Sequence, residues 1–117
     1  MNREIKFRVW DKKTNIYAPI DCIFGFIYRE GHDVFWFSDK NGRFSVEQYT
    51  GLKDRNGMEI YEGDLCLHDA LPGAIHGLPI VFEDCGFILK GNTPGDNIFL
   101  TKYSGLSMQI VGNIHEN

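Results

Sequence analysis

The sequence predicts a mainly-β domain with little helix. Hydrophobic residues make up 43% of the chain, aromatics 14%, and 13 of its 117 residues are glycine, a composition typical of strands and turns. Short apolar runs recur at roughly the 8–12-residue spacing of a barrel or sandwich. Only "NGMEIYEGD" could hold a single helical turn, because Gly57 and Gly63 bracket it closely. At this length we expect one domain over residues 1–117 with its own core.

The N-terminal segment predicts two strands. In "EIKFRVW" the side chains alternate, with Ile5, Phe7 and Val9 on one face, which is the pattern of a half-buried strand. The turn-forming "DKKTN" follows, and then the extended run "IYAPI". Pro19 has no N–H to donate, so we expect the second strand to lie at an edge or to end at a bulge.

The central and C-terminal segments continue the strand series. Asn41-Gly42 is suited to a type I′ turn and predicts a hairpin of Val34–Ser38 with Arg43–Tyr49. Asp84-Cys85-Gly86 predicts a further hairpin turn. The remaining strand candidates are "LCLHD", "PIVFE", "GFILK", "NIFLTKY" and "MQIVGNI".

The stretch "QYTGLKDRNGMEIYEGDL" raises the question of a phosphate-binding loop. A P-loop places Lys and a hydroxyl residue after its second Gly, before a helix, whereas Met58 and Glu59 follow Gly57 here. We therefore interpret the stretch as structural. Gly42, Gly57, Gly63 and Asp64 are predicted turn residues, since Gly adopts positive φ and Asp bonds nearby amides. We expect Leu65 and Leu67 to face the core after this corner.

Three blocks of the chain, "IKFRVWDKKTNIY", "QYTGLKDRNGMEIYEGD" and "IVGNIHEN", together resemble the YopX protein family of phages and prophages. The resemblance implies a mainly-β pseudo-barrel whose C-terminal half is similar to an SH3-like barrel. It implies no known activity, no cofactor and no catalytic residues. The stretch "HDALPGAIHGLP" looks specific to this chain.

The charge balance and the cysteines limit the classes of partner and compartment. Sixteen acids against 12 bases give a net charge of -4, which disfavours duplex binding by phosphate neutralisation. Five bases near the N-terminus could form a basic stripe, but a solvated strand face is the favoured interpretation; they are Arg3, Lys6, Arg8, Lys12 and Lys13. No apolar run is long enough to span a membrane. The N-terminus has no apolar core of a signal peptide, and the number of cysteines, three, is odd. We expect a protein of the host cytoplasm with reduced thiols and no membrane contact.

One set of Cys, His and Asp residues has the chemical types of a metal or nucleophile site. If Leu65 and Leu67 face inward, period two puts Asp64, Cys66 and His68 on the other face, and a loop could bring Asp69 and His76 near. These residue types bind zinc, but no C-x2-C or H-x3-H spacing is present. A Cys–His nucleophile is the other alternative. We expect neither a metal nor a cofactor and no enzyme, because no motif specifies a reaction.

The aromatic residues predict an interaction surface. Phe26, Tyr28 and Trp36 lie in the runs "CIFGFIY" and "DVFWFS", and alternation sends Trp36 away from its aromatic neighbours. The expected function is a small non-catalytic protein-binding module that also forms a homo-oligomer. The alternative is single-stranded nucleic-acid binding by stacking on these aromatics.

Overall fold

The computed structural model describes residues 4–18, 42 and 44–116. Nine strands and two short 3-10 turns lie in this part of the chain, and no α-helix does. The strands are β1 Phe7–Asp11, β2 Ile16–Tyr17, β3 Phe44–Lys53, β4 Glu59–Tyr61, β5 Asp64–His68, β6 Leu78–Glu83, β7 Gly86–Leu89, β8 Ile98–Phe99 and β9 Met108–Asn113; the 3-10 turns are Pro94–Asp96 and Ser104–Ser107. The predicted mainly-β class is confirmed. The single helical turn considered near Glu59 is wrong, because that residue begins β4.

The chain divides into two compact units. One is Lys6–Glu47, here the N-terminal unit; the other is Met1–Ile5 with Gln48–Asn117, here the C-terminal unit. Strand β3 begins in the first and ends in the second. The expectation of one domain over residues 1–117 stays a prediction.

The N-terminal unit contains an antiparallel hairpin of β1 and β2, in which Trp10 lies opposite Tyr17 and their rings meet edge to face. Glu47, at 3% exposure, accepts hydrogen bonds from Arg8 Nε at 2.8 Å and from the Tyr17 hydroxyl at 3.0 Å. Arg8 also lies 4.2 Å from the centre of the Tyr17 ring. Arg8 is therefore held by its neighbours, which argues against its place in a basic stripe.

The C-terminal unit contains a five-stranded antiparallel sheet in the order β8-β7-β6-β5-β9. Its core lies on one face of that sheet. The buried members are Ile60, Cys66, Leu78, Ile80, Phe87, Leu89 and Met108. Burying side chains of this size contributes about 1.5–3 kcal/mol each, so this face supplies the main apolar stabilisation of the unit.

The other face of the same sheet has its own apolar row. Val81 lies opposite Ile88, and Ile88 lies opposite Phe99. Period two puts Glu83 and Lys90 on this face too, and their side chains form an ion pair at 2.5 Å. This face therefore combines an apolar row with a charged pair.

The predicted orientation of β5 is wrong. Asp64 and Cys66 are buried, at 3% and 0% exposure, whereas Leu65 and Leu67 are half-buried on the opposite face. The reason lies at the start of the strand: Asp64 turns inward to accept a hydrogen bond from the Tyr61 N–H at 2.7 Å. Because side chains alternate, that contact sets the direction of every later residue in β5.

Candidate interaction surface

The turn between β3 and β4 is closed by Asp54. Its Oδ1 accepts hydrogen bonds from the N–H groups of Asn56 and Met58, both at 2.9 Å, and its own N–H donates to the Met58 carbonyl at 2.8 Å. Gly57 has φ +82° in this turn, a conformation that favours glycine. Asp54 and Gly57 of this stretch therefore serve to form the turn.

The second oxygen of Asp54 reaches a distant strand. Oδ2 accepts a hydrogen bond from the Ile110 N–H in β9 at 3.0 Å. Burial raises the pKa of Asp54, but the hydrogen bonds from Ile110, Met58 and Asn56 and the charge of Arg55 lower it, with a net result below the ordinary value. An ionised carboxylate occupied in this way is a structural acceptor and is poorly suited to proton transfer.

Arg55 adds a second link between this turn and β9. Its N–H and its Nε both donate to the Met108 carbonyl, at 3.0 and 3.2 Å. Its guanidinium also pairs with Asp69 at 2.8 Å. The β3–β4 turn is therefore fastened to the beginning of β9 through both backbone and side chain.

Gly63 and Asp64 form the next corner. Gly63 is buried with φ +89°. Its N–H donates to the Ile80 carbonyl and its carbonyl accepts from the Ile114 N–H, both at 2.8 Å. This corner therefore joins β6 and the segment after β9.

Sequence reasoning missed several residues with similar roles. Thr50 Oγ1 donates to the Ile60 carbonyl at 2.7 Å and accepts from the Leu52 N–H. The Asn113 side chain accepts from the His115 N–H and donates to Glu116. Thr50 and Asn113 both lie in the blocks that carry the family resemblance, which was the one available signal.

The Cys/His residues of the unfavoured zinc or nucleophile alternative do not come together. Cys66 is in the core, and the His68 Nδ1 accepts from the Ala70 N–H at 3.0 Å. Asp69 pairs with Arg55, and His76 is exposed in the following loop. Among residues 4–18, 42 and 44–116, no three His, Cys, Asp or Glu side chains form a possible metal-binding group.

The remaining predicted sites are placed as follows. Gly42 is exposed with φ +63°. Phe26, Tyr28 and Trp36 lie outside the described residues, as does the predicted strand Val34–Ser38. Asp84 and Cys85 join β6 to β7 in a two-residue turn with φ +52° and +65°, which confirms the hairpin predicted there.

Three large apolar side chains are exposed where the β3–β4 turn meets the second 3-10 turn. Gly105, in Ser104–Ser107, lies directly against the Lys53 carbonyl, so close that a Cβ atom would collide with it. The side chains are Met58, Tyr103 and Leu106, with exposures of 60%, 66% and 75%. We call these three residues the apolar corner. The Lys102 ammonium lies 5.0 Å from the centre of the Tyr103 ring.

The apolar corner is carried by a fixed backbone. Met58 is held by Asp54, and the Leu106 N–H donates to the Tyr103 carbonyl at 3.3 Å. The hydrogen bonds of Arg55 to Met108, the residue that follows the second 3-10 turn, hold the β3–β4 turn beside it. Exposed apolar side chains on a pre-organised backbone lose little backbone entropy on binding, which favours contact with another molecule.

Three comparisons place the chain among known proteins. A model of the YopX protein family matches residues 6–117. The crystal structure of protein EF1440 from Enterococcus faecalis is similar, with a TM-score of 0.60 and 22% identity, over 99% of this chain and 96% of that one. At that identity the likeness shows the fold. None of the curated proteins matches the chain. In the described part of the chain, no helix is long and apolar enough to cross a membrane.

Proposed function

Since the chain belongs to the YopX protein family, we propose that it is a small non-catalytic module that binds another protein through the apolar corner. Its most polar stretch, Gln48–Leu65, is used for turns and strand contacts, as the hydrogen bonds of Asp54 and Asp64 indicate. That leaves the exposed apolar side chains as the feature that folding of the C-terminal unit does not require. The SH3-like character of this unit stays a prediction.

One observation carries the proposal: Met58, Tyr103 and Leu106 are all more than half exposed on two turns that approach each other where Gly105 lies against the Lys53 carbonyl. Single exposed apolar residues are ordinary on protein surfaces. A group that includes Tyr is more informative, because aromatic and Met side chains are enriched in the centres of protein interfaces.

The charge beside the apolar corner indicates the kind of partner. Lys102 lies over the Tyr103 ring, and it forms no ion pair among residues 44–116. A partner that places an apolar side chain over Leu106 and a carboxylate beside Lys102 would match both features. We therefore expect a protein surface that is apolar at its centre and acidic at its rim.

Site-specific photo-cross-linking tests this function. A photoreactive phenylalanine analogue at Leu106 should capture a partner in cells, while the same analogue at exposed Lys12 should not. The purified partner should bind the Tyr103→Ser/Leu106→Ser variant at least tenfold more weakly than the original chain. Ile75→Ser, which removes another exposed apolar residue, is the matched control. Equal affinity of the original chain and the double variant would refute the proposal.

Single-stranded nucleic acid is the second candidate. The observation that favours it is the pairing of Lys102 with the Tyr103 ring, because bases stack on aromatics while lysines contact phosphates. The measurement is fluorescence anisotropy with labelled single strands at increasing salt. Binding that weakens steeply with salt and is lost in Tyr103→Ser would favour it; absence of binding at low salt would eliminate it.

Self-association and location complete the proposal. We propose a homo-oligomer through Phe26, Tyr28 and Trp36, which light scattering across a dilution series tests directly. A constant monomer mass at high micromolar concentration would contradict it. The host cytoplasm is the proposed location and a phage or prophage the proposed source, both resting on the sequence.

A further inference from the structure

A second feature of the C-terminal unit lies apart from the apolar corner. A cavity of about 270 Å³ opens between the loop after β5 and the loop after β7. Its wall is apolar on one side, at Leu71, Pro72, Ala74 and Leu78, and polar on the other, at Asn92 and Asp96. The volume is slightly below the roughly 300 Å³ lower limit of small-molecule sites, so it suits a single side chain.

Both walls of the cavity are held by internal hydrogen bonds. In the first loop the N–H of Leu71 donates to the His68 carbonyl, and that of Ala74 to the Leu71 carbonyl, at 3.0 and 3.1 Å. In the second loop the Gly91 N–H donates to Asn97 Oδ1 at 2.9 Å. The cavity is therefore a built feature of the two loops.

The polar wall carries an uncompensated charge. Asp96 Oδ2 accepts a hydrogen bond from the Thr93 hydroxyl at 3.0 Å. Its Oδ1 and the Asn92 side-chain amide have no protein partner within the described ranges. Of the two bases that flank Asp96 in sequence, Lys90 is paired with Glu83 and Lys102 lies over the Tyr103 ring. The site thus offers a carboxylate and an amide beside an apolar wall, without a cation.

We propose that this cavity binds an arginine side chain of another protein. The aliphatic stem would lie on Leu71 and Ala74, as long basic side chains do on apolar surfaces. The guanidinium has several donors in one plane, so it can bond a carboxylate and an amide oxygen together. Asp96 and Asn92 supply these two acceptors. The contact goes beyond the proposed function, since no residue of the apolar corner lines the cavity.

An NMR titration tests the site with defined probes. N-acetyl-arginine amide, added to the full chain, should shift the backbone amides of Leu71, Ala74 and Asp96 with a millimolar Kd. The citrulline derivative, which has nearly the same shape without the charge, should bind at least fivefold more weakly. Asp96→Asn should weaken arginine binding at least fivefold while it retains the Thr93 hydrogen bond. Asp84→Asn, at an exposed carboxylate elsewhere, should leave the Kd unchanged.

Several outcomes would overturn the proposal. Equal Kd values for the arginine and citrulline derivatives would show that charge does not contribute to binding. An equal Kd for N-acetyl-lysine amide would show that the cavity does not prefer arginine to lysine. Unshifted amides at Leu71 and Ala74 up to 50 mM probe, about fiftyfold above a Kd near 1 mM, would exclude the cavity. None of these results changes the expectation for Leu106 cross-linking, so failure here is distinguishable from failure of the proposed function.

Discussion

The carboxylate of Asp54 accepts a hydrogen bond from the backbone N–H of Ile110, 56 residues away in the chain. Strand β9 is the last strand of its sheet, and this N–H is one that β5 does not use. A side chain therefore occupies a position that a further strand would otherwise take, which protects the edge against unwanted pairing.

Asp54→Asn should destabilise the protein by about 1–3 kcal/mol, the cost of leaving a partly buried N–H group without its acceptor. An amide has only one acceptor oxygen, so it cannot serve Ile110 and the turn amides together. Urea unfolding provides the measurement. Asp69→Asn is the control, because its exposed pair with Arg55 should be worth about 1 kcal/mol or less. Equal losses in the two variants would contradict the assigned role.

Ionisation of the Asp54 carboxylate should make the free energy of unfolding depend on pH in acid. Its pKa in the folded protein lies below the ordinary value of 3.8. A lowered pKa means that its contribution is complete above the unfolded pKa, about 3.9, and is lost as pH falls through the folded pKa. The stability difference between the original chain and Asp54→Asn should therefore shrink below about pH 4. A difference that is constant from pH 7 to pH 2 would argue against this.

Gly57→Val should cost about 1–2 kcal/mol, because a β-branched residue is strained at φ +82°. No atom lies within 4 Å of the position a Cβ would take, so the loss would come from the backbone alone. Gly95→Val is the matched control, with equal space and no positive φ. Thermal unfolding distinguishes them, and an unchanged melting temperature in Gly57→Val would refute the turn assignment.

Gly105→Ala should be more damaging, at about 3 kcal/mol or more, because the added methyl would overlap the Lys53 carbonyl. Gly86→Ala is the control, since its nearest neighbour, a Phe99 ring carbon, lies 4.0 Å from the new Cβ. Chemical unfolding of both variants provides the comparison. Similar stability would mean that the two turns do not approach so closely in solution.

Cys85→Gly should stabilise the protein by about 0.5 kcal/mol. Both residues of the turn between β6 and β7 have positive φ, and glycine is the preferred second residue of such a turn. Cys85→Ala distinguishes the effect of backbone strain from the effect of losing the thiol, because it removes the sulfur and keeps the strain. The expected order of stability is Gly above Cys and Cys equal to Ala, and any other order would count against strain.

Local patterns were sufficient for the series of strands and for the tight turns. The hairpin at Asp84-Cys85 and the corner at Gly63 could be anticipated because turn chemistry depends on neighbouring residues. The three blocks that resemble the YopX family predicted the class of the whole fold. These parts of the structure follow from short-range preferences that the sequence displays directly.

Two kinds of contact were beyond such patterns. The first is local: the hydrogen bond from the Tyr61 N–H turns Asp64 inward and reverses the expected faces of Leu65 and Cys66, which alternation alone does not reveal. The second is long-range. The contact of Gly105 with Lys53 joins residues far apart in sequence, and no periodicity reports it. The apolar corner and the arginine cavity both depend on such approaches, so they emerged only from the structure.

The pairing of β5 with β9 has a consequence for how the chain is made. These strands are neighbours in the sheet, yet β6, β7 and β8 are synthesised between them. Residue 113 must therefore emerge from the ribosome before β5 can pair fully with both of its neighbouring strands. Until then one edge of β5 lacks a partner strand, and folding must bring together two strands that are far apart in sequence, which is slow. The nascent chain should depend on chaperones during this interval, more than its small size suggests.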